Sequence, residues 1–216
     1  MHSTIISSDS AVRSIEDLRG ERIAIPHQGG MPDILFRYIS KQQGIDIARD
    51  LEVFYAANPE HAARMLMAGE VDHALLPEPL ATTALLRGEG QFHRVIDIST
   101  EWENVVGGGI RTPMAGTVAL PPVQENPEVI REFQKQLELA IAWMQENPDE
   151  AGLLAEEKLG FNAKAVSKSI GNVTWDFVTA RDARDDLEVF FGTMHEFSPE
   201  SIGGKLPDDG FYHGGF

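Results

Sequence analysis

The segment Ser14–Asp33, with the sequence SIEDLRGERIAIPHQGGMPD, constrains the fold of this chain more than any other part. It predicts a helical turn, a short buried strand at Arg22–Ile25, a turn at Gly29 and Gly30, and a new helix from Pro32. In open α/β sheets, ligands bind where a strand ends and the next helix offers its free N–H groups. The segment therefore predicts a loop that can cradle a small ligand.

Strand and helix patterns alternate, with short connections, as far as about residue 110. The predicted strands are residues 22–25, 51–56, 71–76 and 94–98, and the predicted helices run from about 32 to 43, 58 to 69 and 79 to 87. This alternation is typical of a parallel sheet that is covered by helices on both faces. The first half of the chain therefore suffices for one self-contained α/β lobe.

The composition changes after Trp102, and the rest of the chain is mostly helical. Gly107–Gly109 predicts a flexible break, and Thr117–Leu120 predicts one further strand. Four helices are predicted beyond it, at about 127–146, 148–160, 162–170 and 180–197. Even with a second strand from residues 1–8, this is too little sheet for the helices to cover. The second part is therefore expected to be half a domain whose first half is missing.

Composition and charge exclude several classes of function. The 216-residue chain carries 18 Lys and Arg against 34 Asp and Glu, a net charge of −16, which excludes nucleic acid and anionic lipid surfaces as partners. The chain has no cysteine, and its seven histidines show no metal-ligand spacing. No catalytic or dinucleotide-binding motif can be recognised. We therefore expect no cofactor, no metal and no enzymatic activity.

The start MHSTIISSDS lacks a signal-peptide pattern, and no apolar run reaches the roughly 20 residues of a membrane span.

Four motifs resemble a known family: SIEDLRGERIAIP, GGMPDILFRYISKQQGID, AGEVDHALLPEPLAT and IGGKLPDDGFY. They are similar to the nitrate/sulfonate/taurine group of ABC-transporter substrate-binding proteins, also called the SsuA/THI5-like or NMT1 family. The resemblance implies a type II periplasmic-binding-protein-like α/β fold, with one complete parallel-sheet lobe and an incomplete second lobe. By that resemblance, residues 1–10 are the end of lobe one and a hinge, 11–112 are lobe two, and 113–216 are the C-terminal, mostly helical part of lobe one. A full family member carries a signal peptide and a further half-domain upstream. The chain is thus expected to be N-terminally truncated relative to a periplasmic or cell-surface parent.

The candidate ligand-binding residues lie in the glycine turn, after the third predicted strand and beside the glycine-rich break. They are His27, Gln28, Gly29, Gly30, Met31, Asp33, Glu78 and Arg111. Two interpretations stay open for each group. The loop residues contact a ligand, or they form a tight strand-to-helix connection in which Asp33 favours the helix dipole. Glu78 pairs with an amine of a ligand or caps the following helix, and Arg111 clamps an anionic group or is an exposed surface residue.

The resemblance implies a substrate-binding component, or a fragment of one, that serves an ABC importer together with its permease. Such a protein closes two lobes around a small polar organic molecule or anion, and sulfonates, nitrate-like anions and pyrimidine precursors all stay open as ligands. One alternative is a THI5-like protein that binds or makes the thiamine pyrimidine precursor, and another is the sensory domain of a regulator. Because an incomplete lobe exposes apolar helix faces and strand edges, we also predict self-association through residues 113–216.

Overall fold

The computed structural model describes residues 3–113 and 115–212 of the chain. Its strands are β1 (Ser3–Ser7), β2 (Arg22–Pro26), β3 (Glu52–Ala56), β4 (His73–Pro77) and β5 (His93–Asp97). Its helices are α1 (Met31–Gln42), α2 (Ile47–Asp50), α3 (Pro59–Met67), α4 (Leu80–Arg87), α5 (Ile98–Val106), α6 (Pro121–Gln124), α7 (Pro127–Glu146), α8 (Pro148–Leu159), α9 (Ala163–Ile170) and α10 (Arg184–Phe197). Short 3₁₀ turns lie at Ile15–Leu18, Pro199–Ile202 and Asp209–Phe211.

The five strands form one sheet in the order β3-β2-β4-β1-β5. β2 runs parallel to β3 and to β4, as the alternation of strands and helices predicts. β1 lies between β4 and β5 and runs antiparallel to both. The α/β fold is therefore confirmed with one correction, because the sheet is mixed and not purely parallel. β1 precedes the alternating units, so no crossover helix fixes its direction.

β1 lies inside the sheet that residues 11–112 build, and the assignment of residues 1–10 to the end of another lobe and a hinge stays a prediction. All five residues of β1 are buried, and Ile5 and Ile6 have no exposed surface. Successive strand residues point to opposite faces, so burial on both faces places β1 inside the sheet that residues 11–112 build. Met1 and His2 lie outside the described residues. The run STII is too short to show, from sequence alone, which sheet the strand would join.

The sheet has a hydrophobic core on each face. One core contains Ile25 of β2 and Leu75 of β4, and it is covered by α1 and α5, whose Phe36 and Trp102 are fully buried. The other core contains Ala24 of β2 and is covered by α3 and α4. Both faces are therefore occupied by helices, as expected for an α/β lobe.

Of the helices after residue 113, α9 and α10 pack onto this lobe, and the described residues of this part build no sheet of their own. α9 packs against both α8 and α4, whereas α10 packs against α1 on the opposite face, where Phe190 lies 6.1 Å from Trp102 between ring centroids. No strand forms in residues 98–113 and 115–212. The predicted strand Thr117–Leu120 is therefore wrong: the segment has no strand beside it, and Val118 is 74 % exposed.

α7 presents an apolar surface to solvent. Ile130 is the one buried residue of this 20-residue helix. The apolar side chains that stay 42 to 54 % exposed on α7 are Val129, Phe133, Leu139 and Trp143. Leu153 and Leu159 of the next helix are also exposed. An amphipathic helix of this kind normally buries its apolar stripe against another surface.

Candidate ligand-binding site

The carboxyl ends of β2 and β4 form the candidate site. These strands are neighbours and run parallel, so both end at the same edge of the sheet. α1, which follows β2, covers one face, whereas α4, which follows β4, covers the other. The two connecting loops therefore diverge, and this topology predicts a crevice between them, the place where open α/β sheets bind ligands. Residues 27–30 lie on one side of this crevice, and Glu78 and Pro79 lie on the other.

The loop after β2 is a compact turn that backbone hydrogen bonds hold in place. The His27 N–H donates to Ala56 O at 3.0 Å, and the Gly30 N–H donates to His27 O at 2.7 Å. His27 has a φ of 56° and Gly29 a φ of 74°, both in the left-handed region. A Cβ on Gly30 would lie 2.9 Å from His27 O, so glycine is required at this position. The turn leaves the His27 and Gln28 side chains exposed.

Asp33 holds this loop in place from the first turn of α1. Its Oδ2 accepts a hydrogen bond from the Gly29 N–H at 2.8 Å, and its Oδ1 accepts one from the Tyr55 hydroxyl at 3.3 Å. Asp33 has no exposed surface. Burial and the Asp33 charge raise the pKa of Tyr55, which keeps its hydroxyl protonated as a donor. Asp33 therefore positions the loop, and its carboxylate does not face solvent. Met31, which begins α1, is partly buried against the adjoining core.

Glu78 is already paired within the protein. Its carboxylate forms an ion pair with the Arg94 guanidinium, and its Oε2 accepts a hydrogen bond from the Thr82 N–H at 3.1 Å. The Glu78 side chain is 6 % exposed. The Asn172 amide donates at 3.5 Å to Glu78 Oε1 and at 3.4 Å to Thr82 Oγ1. Within the protein, Glu78 therefore caps α4 and links it to the segment after α9, and its contact with a ligand amine stays a prediction.

Arg111 is likewise paired within the protein. Its Nε and Nη2 contact Asp186 Oδ2 at 2.9 and 2.8 Å, and its backbone N–H donates to Asp186 Oδ1 at 2.9 Å. Asp186 lies in the first turn of α10, and its side chain is 12 % exposed. The Arg111 guanidinium therefore ties the crossover after α5 to α10, and its role as a clamp for an anionic ligand stays a prediction.

The helices that begin at this edge differ in how their free N–H groups are satisfied. Asn58 Oδ1 accepts from the His61 N–H at 2.8 Å at the start of α3, and Asp97 Oδ1 accepts from the Thr100 N–H at 2.9 Å at the start of α5. α1 begins after Gly30, which has no side chain to cap it. In the first turn of α1, Pro32 has no N–H and the Ile34 N–H donates to Gly30 O at 3.0 Å, which leaves the N–H groups of Met31 and Asp33 for a ligand that approaches the crevice.

Three residues that shape this edge are not apparent from the sequence. Tyr55 ends a predicted strand, and only the register of β3 with β2 brings its hydroxyl to Asp33. Arg94 lies on a predicted strand, yet its partner Glu78 follows β4, which is not the neighbour of β5 in the sheet. Asn172 follows a helix far along the chain and carries no recognisable signal.

Two further properties of the described residues concern metal binding and membrane crossing. Within residues 3–113 and 115–212, no group of three or more His, Asp or Glu side chains is arranged to hold a metal ion. In the same part of the chain, no helix combines the length and the hydrophobicity that crossing a membrane requires.

Solved structures of periplasmic binding proteins share this fold. An ABC transporter from Parabacteroides distasonis is 24 % identical with a TM-score of 0.76, and the match covers 98 % of this chain and 70 % of that chain. The periplasmic aliphatic sulphonate binding protein SsuA from Escherichia coli is 18 % identical with a TM-score of 0.72, covering 98 % and 64 %. The desulfurization enzyme DSZB is 17 % identical with a TM-score of 0.59, covering 90 % and 69 %. The chain thus spans about two thirds of the length of these proteins.

The fold and the loops at its carboxyl edge define an α/β protein with a periplasmic-binding-protein-like fold. The chain belongs to the NMT1-like family, whose profile matches residues 5–157. No curated protein matches the chain in sequence. The resemblance carried by the four sequence motifs is therefore confirmed for the family and the fold.

Proposed function

We propose that the chain is part of the substrate-binding component of an ABC importer. The observation that carries this proposal is the divergence of the loops after β2 and β4 at one edge of the sheet, in a chain of the NMT1-like family. A protein of the same fold is a periplasmic aliphatic sulphonate binding protein. An exposed loop beside an uncapped helix N-terminus is the arrangement that a ligand-binding lobe of this kind uses.

The ligand is a small polar organic molecule or anion. In this lobe, the contacts come from the first-turn N–H groups of α1 and from the His27 and Gln28 side chains. We assign the main contacts to these groups and not to Glu78 or Arg111, whose charges are already paired within the protein. Hydrogen-bond donors at a helix N-terminus favour an oxygen-rich group on the ligand, such as the head of a sulfonate or nitrate.

The mechanism is closure of two lobes around this ligand, and this chain supplies one complete lobe. Closure stabilises the bound form because only then do both lobes contact the ligand. Gly107–Gly109, all three with positive φ, form the flexible element of the crossover beside the hinge. The parent protein acts in the periplasm or at the cell surface and delivers its ligand to an ABC permease.

A thermal-shift screen tests the binding proposal on this chain. The panel contains taurine, nitrate, a simple amine and an aminopyrimidine. At about 100 times its Kd, a ligand stabilises the native state by about 2.7 kcal/mol, which raises the melting temperature of a chain of this size by about 5 °C or more. The variant H27A/Q28A is expected to lose most of the shift, because it removes both exposed side chains of the loop.

The matched control is H195A/Q145A, which truncates one exposed histidine and one exposed glutamine on helices away from the loop. This control is expected to keep the full shift. If no member of the panel raises the melting temperature, the proposal loses its support. An equal loss in both variants would place the binding site elsewhere.

A further inference from the structure

A groove lies between α3 and α4, on the outer surface of the helical layer. Its volume is about 290 Å³, and its apolar floor is formed by Ala63, Met67, Leu80 and Ala84. Arg64 and Arg87 also line the groove, both near the C-terminal ends of their helices. Glu60 lines the opposite end, in the first turn of α3. The α3–α4 groove is thus apolar along its floor and basic at one end.

Arg64 and Arg87 are not held in ion pairs with the acidic side chains of the described part of this chain, and both line the same groove. The arginines that form ion pairs with carboxylates of the protein include Arg19, Arg22, Arg49, Arg94, Arg111 and Arg184. No carboxylate within residues 3–113 and 115–212 forms such a pair with Arg64 or Arg87. Two guanidiniums without an internal partner therefore converge on one groove of a protein whose net charge is −16.

A second groove of about 230 Å³ extends this basic end towards α9. Arg87 lines both grooves, and Lys164 in the first turn of α9 lines the second. Three positive side chains therefore border one continuous surface. Arg87 is exposed, as are Arg64 and Lys164, so an external group can reach all three.

We propose that the α3–α4 groove is a docking site for an acidic segment of a partner protein. An apolar side chain of that segment lies on the floor, and its carboxylates pair with Arg64, Arg87 and Lys164. Arginine is suited to this role because its planar guanidinium pairs with a carboxylate through two hydrogen bonds. Recognition of acidic motifs by clustered arginines is a recurrent mode of peptide binding.

The shape of the groove favours a protein segment over a small free anion. The groove is an open furrow between two short helices, whereas small-molecule sites typically enclose about 70 to 90 % of their ligand. Met67 on its floor is 42 % exposed, an apolar surface that a peptide side chain would cover. The net charge of the chain repels an acidic partner at long range. Binding therefore depends on close contacts within the screening distance of about 8 Å at physiological salt.

Fluorescence anisotropy tests this proposal on the whole chain. The probe is a labelled peptide in which pairs of glutamates alternate with pairs of leucines. The wild-type chain is expected to bind the peptide and to ignore a counterpart with glutamine in place of glutamate. R64Q and R87Q are each expected to weaken binding about fivefold, and the double variant more than tenfold. The control R181Q removes an exposed arginine outside the groove and is expected to change the affinity less than twofold.

A further variant tests the apolar floor. M67E places a negative charge on an exposed position of the groove and is expected to abolish binding while leaving the melting temperature close to that of the wild type. The proposal is overturned if the wild type does not bind the peptide, or if R64Q/R87Q binds it as tightly. It is also overturned if citrate displaces the labelled peptide as effectively as the unlabelled peptide does, because the groove would then recognise small carboxylates and not a protein segment.

Discussion

At the scale of single residues, Asp33 decides the shape of the candidate binding loop. Its carboxylate accepts hydrogen bonds from Gly29 and Tyr55 without exposure to solvent. We predict that D33A lowers the free energy of unfolding by about 1 to 3 kcal/mol, because two donors lose their acceptor. Urea denaturation measures this change. Y55F, which removes one donor only, is expected to cost about 1 kcal/mol or less.

A double-mutant cycle separates this interaction from general damage to α1. The loss in D33A/Y55F is expected to be smaller than the sum of the two single losses, because both variants remove the same hydrogen bond. Strict additivity would show that Asp33 and Tyr55 do not act together and would contradict the positioning role of Asp33.

His73 makes the stability of the sheet depend on pH. It is 1 % exposed, its Nδ1 lies 3.0 Å from Ser7 Oγ, and its Nε2 is buried without a hydrogen-bond partner. Burial lowers the pKa of His73 below its usual 6.5, although the nearby charges of Asp72, Glu21 and Asp9 oppose this shift. The unfolded chain therefore binds the proton more readily. The stabilising effect of neutral His73 is complete above about pH 6.5 and is lost as the pH falls below that value.

The variant H73L tests this pH dependence. We predict that the wild type loses more stability than H73L between pH 7.5 and pH 5.5, because the variant cannot take up a proton at this position. Chemical denaturation at several pH values measures the difference. The remaining histidines are common to both proteins, so parallel curves for the two would contradict the prediction.

Single residues also show why the roles of the charged candidate site residues could not be assigned from sequence. The sequence reveals that Glu78 and Arg111 are charged, but their partners depend on tertiary contacts. Arg111 meets Asp186 only because α10 folds back on α1, and Arg94 reaches Glu78 across the sheet. The glycine turn could be predicted because its cause is local: Gly30 must be small where the chain passes His27 O.

At the scale of elements, local patterns predict helices and parallel strands well and fail for isolated strands. From β2 to β5 the sequence patterns of strand, turn and helix follow one another within short stretches. Each pattern therefore helps to assign the element that comes after it. β1 has no such neighbour in sequence, and its pairing with β4 and β5 depends on residues some seventy or more positions away. At Thr117–Leu120 the opposite happens: a strand is predicted and none forms, because β-branched residues do not form a strand without a partner strand.

The contact between α8 and α9 supplies an element-scale prediction. A Cβ on Gly152 would lie 2.4 Å from the backbone oxygen of Ala163, so the two helices meet where no side chain fits. We predict that G152A lowers the free energy of unfolding by about 1 to 3 kcal/mol, despite the better helix propensity of alanine. Thermal or urea unfolding measures it.

Gly192 of α10 is the matched control for this prediction. A Cβ there would meet nothing within 4 Å, so G192A gains helix propensity without a clash. It is expected to raise the free energy of unfolding by about 0.5 to 1 kcal/mol. The same sign of change in both variants would contradict the close approach of α8 and α9.

At the scale of the whole molecule, the chain contains one complete lobe and helices that have no sheet of their own. The family and the α/β lobe could be predicted because their motifs and periodicity are local and repeated. The packing of α9 on α4 and of α10 on α1 could not, because an amphipathic helix shows that it needs a partner but not which one. The assignment of 113–216 to a separate lobe remains a proposal for the longer parent protein.

The exposed apolar side chains of α7 supply the whole-molecule prediction of self-association. Val129, Phe133, Leu139 and Trp143 are about half exposed, and burying apolar surface stabilises association by about 25 cal/mol per Å². Copies of a chain with a net charge of −16 repel one another, so association is expected to increase with salt. Light scattering after size exclusion is expected to give a mass above 23.8 kDa that rises with concentration.

Two variants of α7 with equal charge change separate apolar contact from charge. F133E/W143E is expected to return the mass to 23.8 kDa, because it places carboxylates on the apolar stripe. A142E/Q145E adds the same charge at exposed positions of α7 outside the apolar stripe and is expected to leave most of the association in place. A wild-type chain that stays monomeric at every concentration and salt level would refute self-association through this surface. Equal loss of association in both variants would instead assign the effect to charge repulsion alone.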